Sequence, residues 1–291
     1  MTAATTRPAP AAPAPAPARP SAPHAGRRSL GHRLRDALPT ILVFVGVVLV
    51  WEVFLRTVDR RGVPVPSPSE IWTALVASWS SGPWPIAPAA LNTLIEAVGG
   101  LIIGTVAGLI AAGIAARFMT ARDILLPLGI GASAVPIIAF APLVNTWFGV
   151  LNPLSKMIIV AVLVFFPVVV NVTRGLTAVD PSALELMRSY AASEWAVIGK
   201  LRVPNALPYF FTALKVAMTL SLIGAIVGEY FGGSSDVLGR VIVQSASALR
   251  FDVTWAAIVV GAVTGIVLYL VIVAVERVVI PWHASVRREE P

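Results

Sequence analysis

Five ionisable side chains interrupt long apolar runs in this 291-residue chain: Glu52, Glu96, Lys156, Lys215 and Glu229. A charge inside a bilayer is expensive, so such residues face a bundle interior, a water-filled cavity or one another. They read either as structural ion pairs and snorkelling side chains, or as parts of a solute pathway and its gate. Polar and proline positions in the run 123–147 join them. Ser133, Pro136 and Asn145 thus stand with Glu96, Lys215 and Glu229 as candidates for the pathway or its gating. A separate feature is the charged stretch LELMRSYAASEWAVIGKLRVPNALPYF at 184–210, with Glu185, Arg188, Glu194, Lys200 and Arg202 set between two apolar runs.

The absent chemistry narrows the field. The chain has no phosphate-cradling G-x-x-x-x-G-K-[ST], no G-x-S-x-G and no H-E-x-x-H. It has no cysteine, and His24, His32 and His283 all lie towards the two ends. A disulfide framework, an iron–sulfur cluster and a thiolate zinc site are excluded. No catalytic residue, metal ligand set or cofactor of the chain itself can be named. Active transport would then draw its energy from an ion gradient or from another subunit.

The elements that must carry these residues are membrane helices. Of the residues, 57% are hydrophobic and only 13% charged, with a mean hydropathy of +0.82. A soluble domain carries about 25% charged residues. A bilayer span needs about 20 apolar residues, and six runs qualify, near 39–57, 92–116, 123–147, 153–173, 206–230 and 255–281. Pro127, Pro136 and Pro142 should kink or break the third. With the N-terminus in the cytoplasm, fifteen Lys and Arg fall inside and five outside, so both termini are expected inside. That distribution, rather than nucleic-acid binding, accounts for the net charge of +7.

Residues 1–37 are Ala/Pro-rich and basic and read as a disordered cytoplasmic tail; 38–281 is the transmembrane domain, and 282–291 a charged tail. In the outer segment 58–91, Ser69 is placed to cap a short interfacial helix with Ile71, Leu75 and Trp79 on one face. Gly100, Gly104 and Gly108 repeat every four residues and predict close helix packing, within the subunit or against a partner; Gly261 and Gly265 repeat the pattern more weakly.

The charged stretch has its own grammar. Asp180-Pro181 is a helix start, with Asp as N-cap and Pro at the first helical position. A helix runs to about Tyr190, Ala191-Ala192-Ser193 turns, and Ser193 caps a second helix to about Leu201 before Pro204 opens the next span. This predicts an elbow of two short helices at 180–203, larger than the 2–8 residues a bundle loop requires.

The elbow resembles the E-A-A…G…I-x-L-P loop of binding-protein-dependent ABC importer permeases. Glu185 falls on the Glu, Leu186 and Met187 on the two Ala, Ala191 on the Gly, and Leu201, Val203 and Pro204 on the I, L and P, without gaps. PSPSEIW (66–72), TLIEAVGGLIIGTVAGLIAAG (93–113), VPIIAFAPLVNTWFG (135–149), LPYFFTALKVA (207–217) and GAIVGEYFGG (224–233) look like the nitrate/sulfonate/taurine-type branch, including its thiamine-pyrimidine-precursor members.

The resemblance implies an all-α, type I importer permease fold of about six spans in a bacterial plasma (inner) membrane. Two permease copies, expected to be identical, would form the pathway in the lipid bilayer, and an extracytoplasmic solute-binding protein would deliver the solute. A cytoplasmic ATP-binding subunit dimer, carrying ATP and magnesium itself, would grip the elbow. Glu185, Leu186, Met187, Arg188, Tyr190, Ala191, Ala192, Ser193 and Pro204 are the residues so implied for the ATPase contact. The rival reading is a gradient-driven secondary transporter titrating Glu52, Glu96 or Glu229, which leaves the elbow without a purpose. A membrane-embedded enzyme is the other, and it lacks a nucleophile–base set.

Overall fold

The computed structural model describes residues 30–57, 65–132 and 135–281, and every regular element among them is a helix. In chain order these are α1 (Leu30–Thr57), α2 (Pro68–Ala77), α3 (Ile86–Arg117), α4 (Met119–Ala132), α5 (Ile137–Phe148), α6 (Pro153–Thr177), α7 (Pro181–Ser189), α8 (Glu194–Val197), α9 (Val203–Phe231), α10 (Leu238–Ser247) and α11 (Phe251–Val279). Residues 1–29 and 282–291, and with them most of the two expected tails, lie outside the described residues, as does Ser133. Helix α1 begins at Leu30, inside the segment read from composition as tail.

Five helical stretches are long and apolar enough to span a bilayer, and α4 with α5 makes a sixth if the pair is one broken span, its two axes 102° apart. Pro136 is the N-cap of α5, which places the break at the prolines anticipated from sequence. Pro127 and Pro142 are instead accommodated inside α4 and α5.

The core is α3, α6 and α9. Backbones approach closely there because glycine removes the side chain at the crossing. A Cβ added at Gly104 would sit 2.5 Å from the carbonyl oxygen of Ala161, and one at Gly108 would sit 2.9 Å from Val168. On the far side of α6, Gly224 and Gly228 of α9 face Leu163 and Ile159 in the same manner. So α6 is held between two glycine stripes, its Val160, Val164 and Val168 fully buried. The α3 stripe therefore serves packing within the subunit. Gly261 of α11 is looser, 3.6 Å from its nearest neighbour on α9.

Helices α1 and α11 lie outside this core. Only 6% of the α1 span is buried, against 44% for α6. Leu42, Val43, Phe44 and Val50 stay exposed, an arrangement that water would penalise and hydrocarbon does not. Trp51 and Trp255 pack edge-on at 5.7 Å and join the two peripheral helices. Glu52 accepts from the Ser69 backbone N–H at 3.0 Å and hydroxyl at 2.7 Å, and from Arg56. It fastens α1 to the start of α2. The cap of α2 is Ser67, not Ser69: Ser67 and Glu70 form a reciprocal capping box around Pro68. Ser69 is diverted to Glu52.

Candidate functional site

Two polar regions stand at opposite ends of one continuous helical rod. Helical backbone runs from Glu194 through a π turn at Ile198–Arg202 into α9 and on to Phe231. At 1.5 Å per residue, Glu194 and Glu229 are about 50 Å apart along it.

At the Phe231 end, expected from the charge distribution to be the outer one, Glu96 (α3), Lys156 (α6) and Glu229 (α9) converge and are buried. The two carboxyl groups and the Lys156 ammonium are close enough to feel one another's charge. Lys156 Nζ donates to the carbonyls of Val150 and Asn152, closing the turn before α6. Glu229 Oε2 accepts the Gly239 backbone N–H at 2.7 Å, and Thr93 Oγ1 accepts the Leu238 N–H at 2.9 Å. Helix α10 has no local side-chain cap. Two spans supply its cap instead, satisfying N–H groups that a helix start leaves open. Asn92 adds a third tie, donating at 2.9 Å to both the carbonyl and the carboxylate of Asp236. Asn145 Nδ2 donates to the Gly228 carbonyl at 2.9 Å and locks α5 against α9. One oxygen each of Glu96, Glu229 and Asn145 remains buried without a donor.

Midway along the rod, Lys215 (α9) pairs with Glu276 (α11) at 2.9 Å. Asn205 Nδ2 bridges the carbonyls of Gly175 and Ala178 at 2.8 and 3.0 Å, bracing the base of α9 against the end of α6.

The elbow follows the helix-ending rules of its own backbone. Asp180 accepts from the Ser182 N–H at 2.9 Å and caps α7. Those hydrogen bonds from the Ser182 hydroxyl and amide hold the Asp180 carboxyl below the usual carboxylate range. At the far end Ala191 adopts φ +50°, its N–H bonds to Arg188 O at 2.9 Å, and the Ala192 N–H returns to Met187 O at 3.0 Å. This is a Schellman turn, the ending that favours glycine at the left-handed position. It explains why the importer pattern has Gly where this chain has Ala191. Ser193 then caps α8 through Ala196 N–H. The second elbow helix is not separate, as the sequence suggested. It is the first turn of the rod, because a π turn absorbs the donor-less Pro204 and lets the helix continue.

The placement of the anticipated residues is uneven. Glu96, Asn145 and Glu229 come together at the outer end, while Lys215 belongs to a different ion pair. Pro136 is exposed at the α4–α5 break. Of the elbow residues, Glu185, Leu186, Arg188, Tyr190, Ala191 and Ser193 are exposed, and Met187, Ala192 and Pro204 half-buried. Sequence reasoning missed Thr93, Asn205, Glu276 and Trp195. Trp195 is 82% exposed, beside Tyr190 at 77%. Its signal was available: a tryptophan two residues after a helix cap in a polar segment has no core to enter.

The chain was compared with known proteins. The family described as binding-protein-dependent transport system inner membrane component matches residues 100–283. A probable ABC transporter permease of Haemophilus influenzae is 30% identical over 78% of this chain and 91% of its own. The formylaminopyrimidine transport permease of Halalkalibacterium halodurans is 28% identical over 86% and 98%. The putative aliphatic sulfonates transport permease of Bacillus subtilis is 27% identical over 90% and 93%. In fold, the chain is similar to a bacterial ABC transporter that imports the acidic polysaccharide alginate, with a TM-score of 0.52, 15% identity, and coverage of 86% of this chain and 99% of that one.

Proposed function

The chain belongs to the family of binding-protein-dependent transport system inner membrane components, and from that premise we propose how it works as the permease subunit of an ABC importer. Two identical copies form the pathway, with both termini in the cytoplasm. A cytoplasmic ATPase dimer grips the two elbows, and an external binding protein delivers the solute. The solute is a small anion of the nitrate, sulfonate or taurine kind, or a pyrimidine precursor of thiamine. Support for this choice is the kinship with permeases named for those compounds.

The observation that carries the mechanism is the unbroken rod. Leu186, Tyr190 and Trp195 are large, apolar and exposed on a stiff, capped elbow. Exposed aromatic anchors of this kind fill pockets on protein partners. From the elbow the rod reaches Glu229, whose carboxylate caps α10 at the outer end. A push on the elbow is thereby delivered to the outer helix, with the π turn and Asn205 as the fulcrum. Glu185, Arg188, Ala191 and Ser193 make the ATPase contact, and Glu96, Asn145 and Glu229 form the outer latch. Hydrolysis of ATP, with its magnesium, takes place on the partner chain.

The test is ATP hydrolysis by the chain co-purified with its ATPase in lipid nanodiscs, with and without loaded binding protein. Ala191→Arg should leave hydrolysis no longer stimulated by the loaded binding protein, because a bulky cation fills the elbow's tightest turn. Normal coupled uptake by that variant sinks the assignment of the elbow.

A further inference from the structure

A pocket of about 250 Å³ lies between the end of α3 and the elbow. Arg117, Arg188 and Arg202 line it, with Glu194 opposite and Leu184 and Val197 as part of an apolar wall. Glu194 is its single carboxylate, and Arg117 takes that at 3.8 Å. Arg188 and Arg202 have no carboxylate partner among the described residues. Three arginines thus line one space that holds a single carboxylate. Like charges so placed repel, and an anion entering between them relieves the repulsion.

The pocket's position names the anion. Arg117 is the last residue of the α3 span, and Arg202 ends the π turn just before α9 enters the apolar run. The pocket therefore lies at the level where lipid phosphates end and cytoplasm begins. Its wall combines the three arginines and Glu194 with aliphatic side chains such as Leu184, Val197 and Ile198, matching a headgroup joined to a glycerol and acyl chains. Guanidinium forks bind phosphate oxygens in pairs, and basic pockets between membrane helices on the cytoplasmic side take anionic headgroups.

We propose that this pocket holds the phosphate of one anionic phospholipid, gripped by Arg117, Arg188 and Arg202. The lipid ties the end of α3 to the elbow and limits how far the elbow swings. Only the cytoplasmic placement of the pocket rests on the importer reading; the binding itself needs no ATPase and no solute.

Native mass spectrometry of the full chain, released from detergent with dioleoyl phosphatidylglycerol or dioleoyl phosphatidylcholine, tests it. One phosphatidylglycerol should be retained per chain, at least tenfold in preference to phosphatidylcholine. Arg117→Gln with Arg202→Gln should abolish the preference, and the double Lys variant should keep most of it. If the Gln pair fails to fold, Arg117→Gln alone, at an exposed helix end, should weaken retention severalfold. Equal retention of both lipids, or undiminished retention by the Gln variants, overturns the proposal. Displacement of the lipid by millimolar inorganic phosphate assigns the site to free phosphate and overturns the lipid as occupant. ATPase coupling in nanodiscs is read separately, so loss of the importer mechanism and loss of the lipid site give different results.

Discussion

The outer latch and the elbow invert each other's chemistry. At the outer end, inside the apolar bundle, the buried side chains are Glu96, Lys156, Glu229 and Asn145. At the elbow, in water, the exposed ones are Leu186, Tyr190 and Trp195. Buried polar groups in lipid are tolerable only when they bind one another or the backbone, so the outer set is internal adhesive, spent on α10, the turn before α6 and the α5–α9 contact. Exposed apolar groups in water are tolerable only in small patches and mark a surface kept for a partner. The two ends thus reverse what burial means: charge buried within the bundle holds the subunit together, while apolar side chains exposed on the elbow are the surface proposed above for another chain.

The largest effect should come from breaking the latch. Glu229→Ala strips α10 of its cap and leaves Lys156 buried beside a cavity, costing about 3–5 kcal/mol. Denaturant unfolding in detergent measures it. Glu229→Gln keeps an acceptor for Gly239 and should cost about 1–2 kcal/mol. A Glu229→Ala subunit as stable as the parent would mean that the cluster is poised for something other than cohesion.

The elbow should give the opposite pattern. Trp195→Ala should leave the subunit's own stability within about 0.5 kcal/mol. It should weaken association with the ATPase by about 2 kcal/mol, roughly 30-fold in Kd. Titration of the ATPase into nanodisc-held permease reads the second quantity. Destabilised permease with unchanged ATPase affinity would erase the contrast between the two regions.

A smaller change sharpens the elbow without touching its contacts. Ala191→Gly relieves the left-handed strain at φ +50° and should stabilise the turn by about 1 kcal/mol. Hydrogen exchange at the Ala192 amide, whose bond to Met187 closes the turn, should slow accordingly.

The smallest effect is a pH dependence. Asp180 has its pKa lowered by Ser182, so its cap is fully present above the ordinary aspartate value of about 3.9 and is lost as pH falls through the lower, folded-state value. The protection of the Ser182 amide, its exchange rate taken relative to the intrinsic rate at each pH, should fall only in that acid window. Loss of protection nearer neutrality would assign the cap to another group.

Much of this was legible beforehand, and the reasons differ by element. The spans announce themselves because a bilayer demands about 20 consecutive apolar residues. The start of the elbow was readable from Asp180-Pro181 and Ser193, because capping is a local bargain between neighbours. The α3 glycines were visible as a stripe, but their partner was not, and the matching Gly224 and Gly228 drew no notice. The second elbow helix does not stand apart as expected, because proline ordinarily opens a helix, whereas here a π turn carries the helix past Pro204.

By itself, then, the sequence determined the membrane class, the number of apolar runs, the elbow and the absence of catalytic motifs, since each depends on composition or on residues a few positions apart. Tertiary structure alone decided that Glu229 caps a helix ten residues on, that Thr93 completes that cap from another span, and that Lys215 meets Glu276 across 61 positions. Charge in a low-dielectric interior must find a partner wherever one exists. Which partner comes within reach is set by how the glycine stripes pack α3, α6 and α9, and no local stretch of chain encodes that distance.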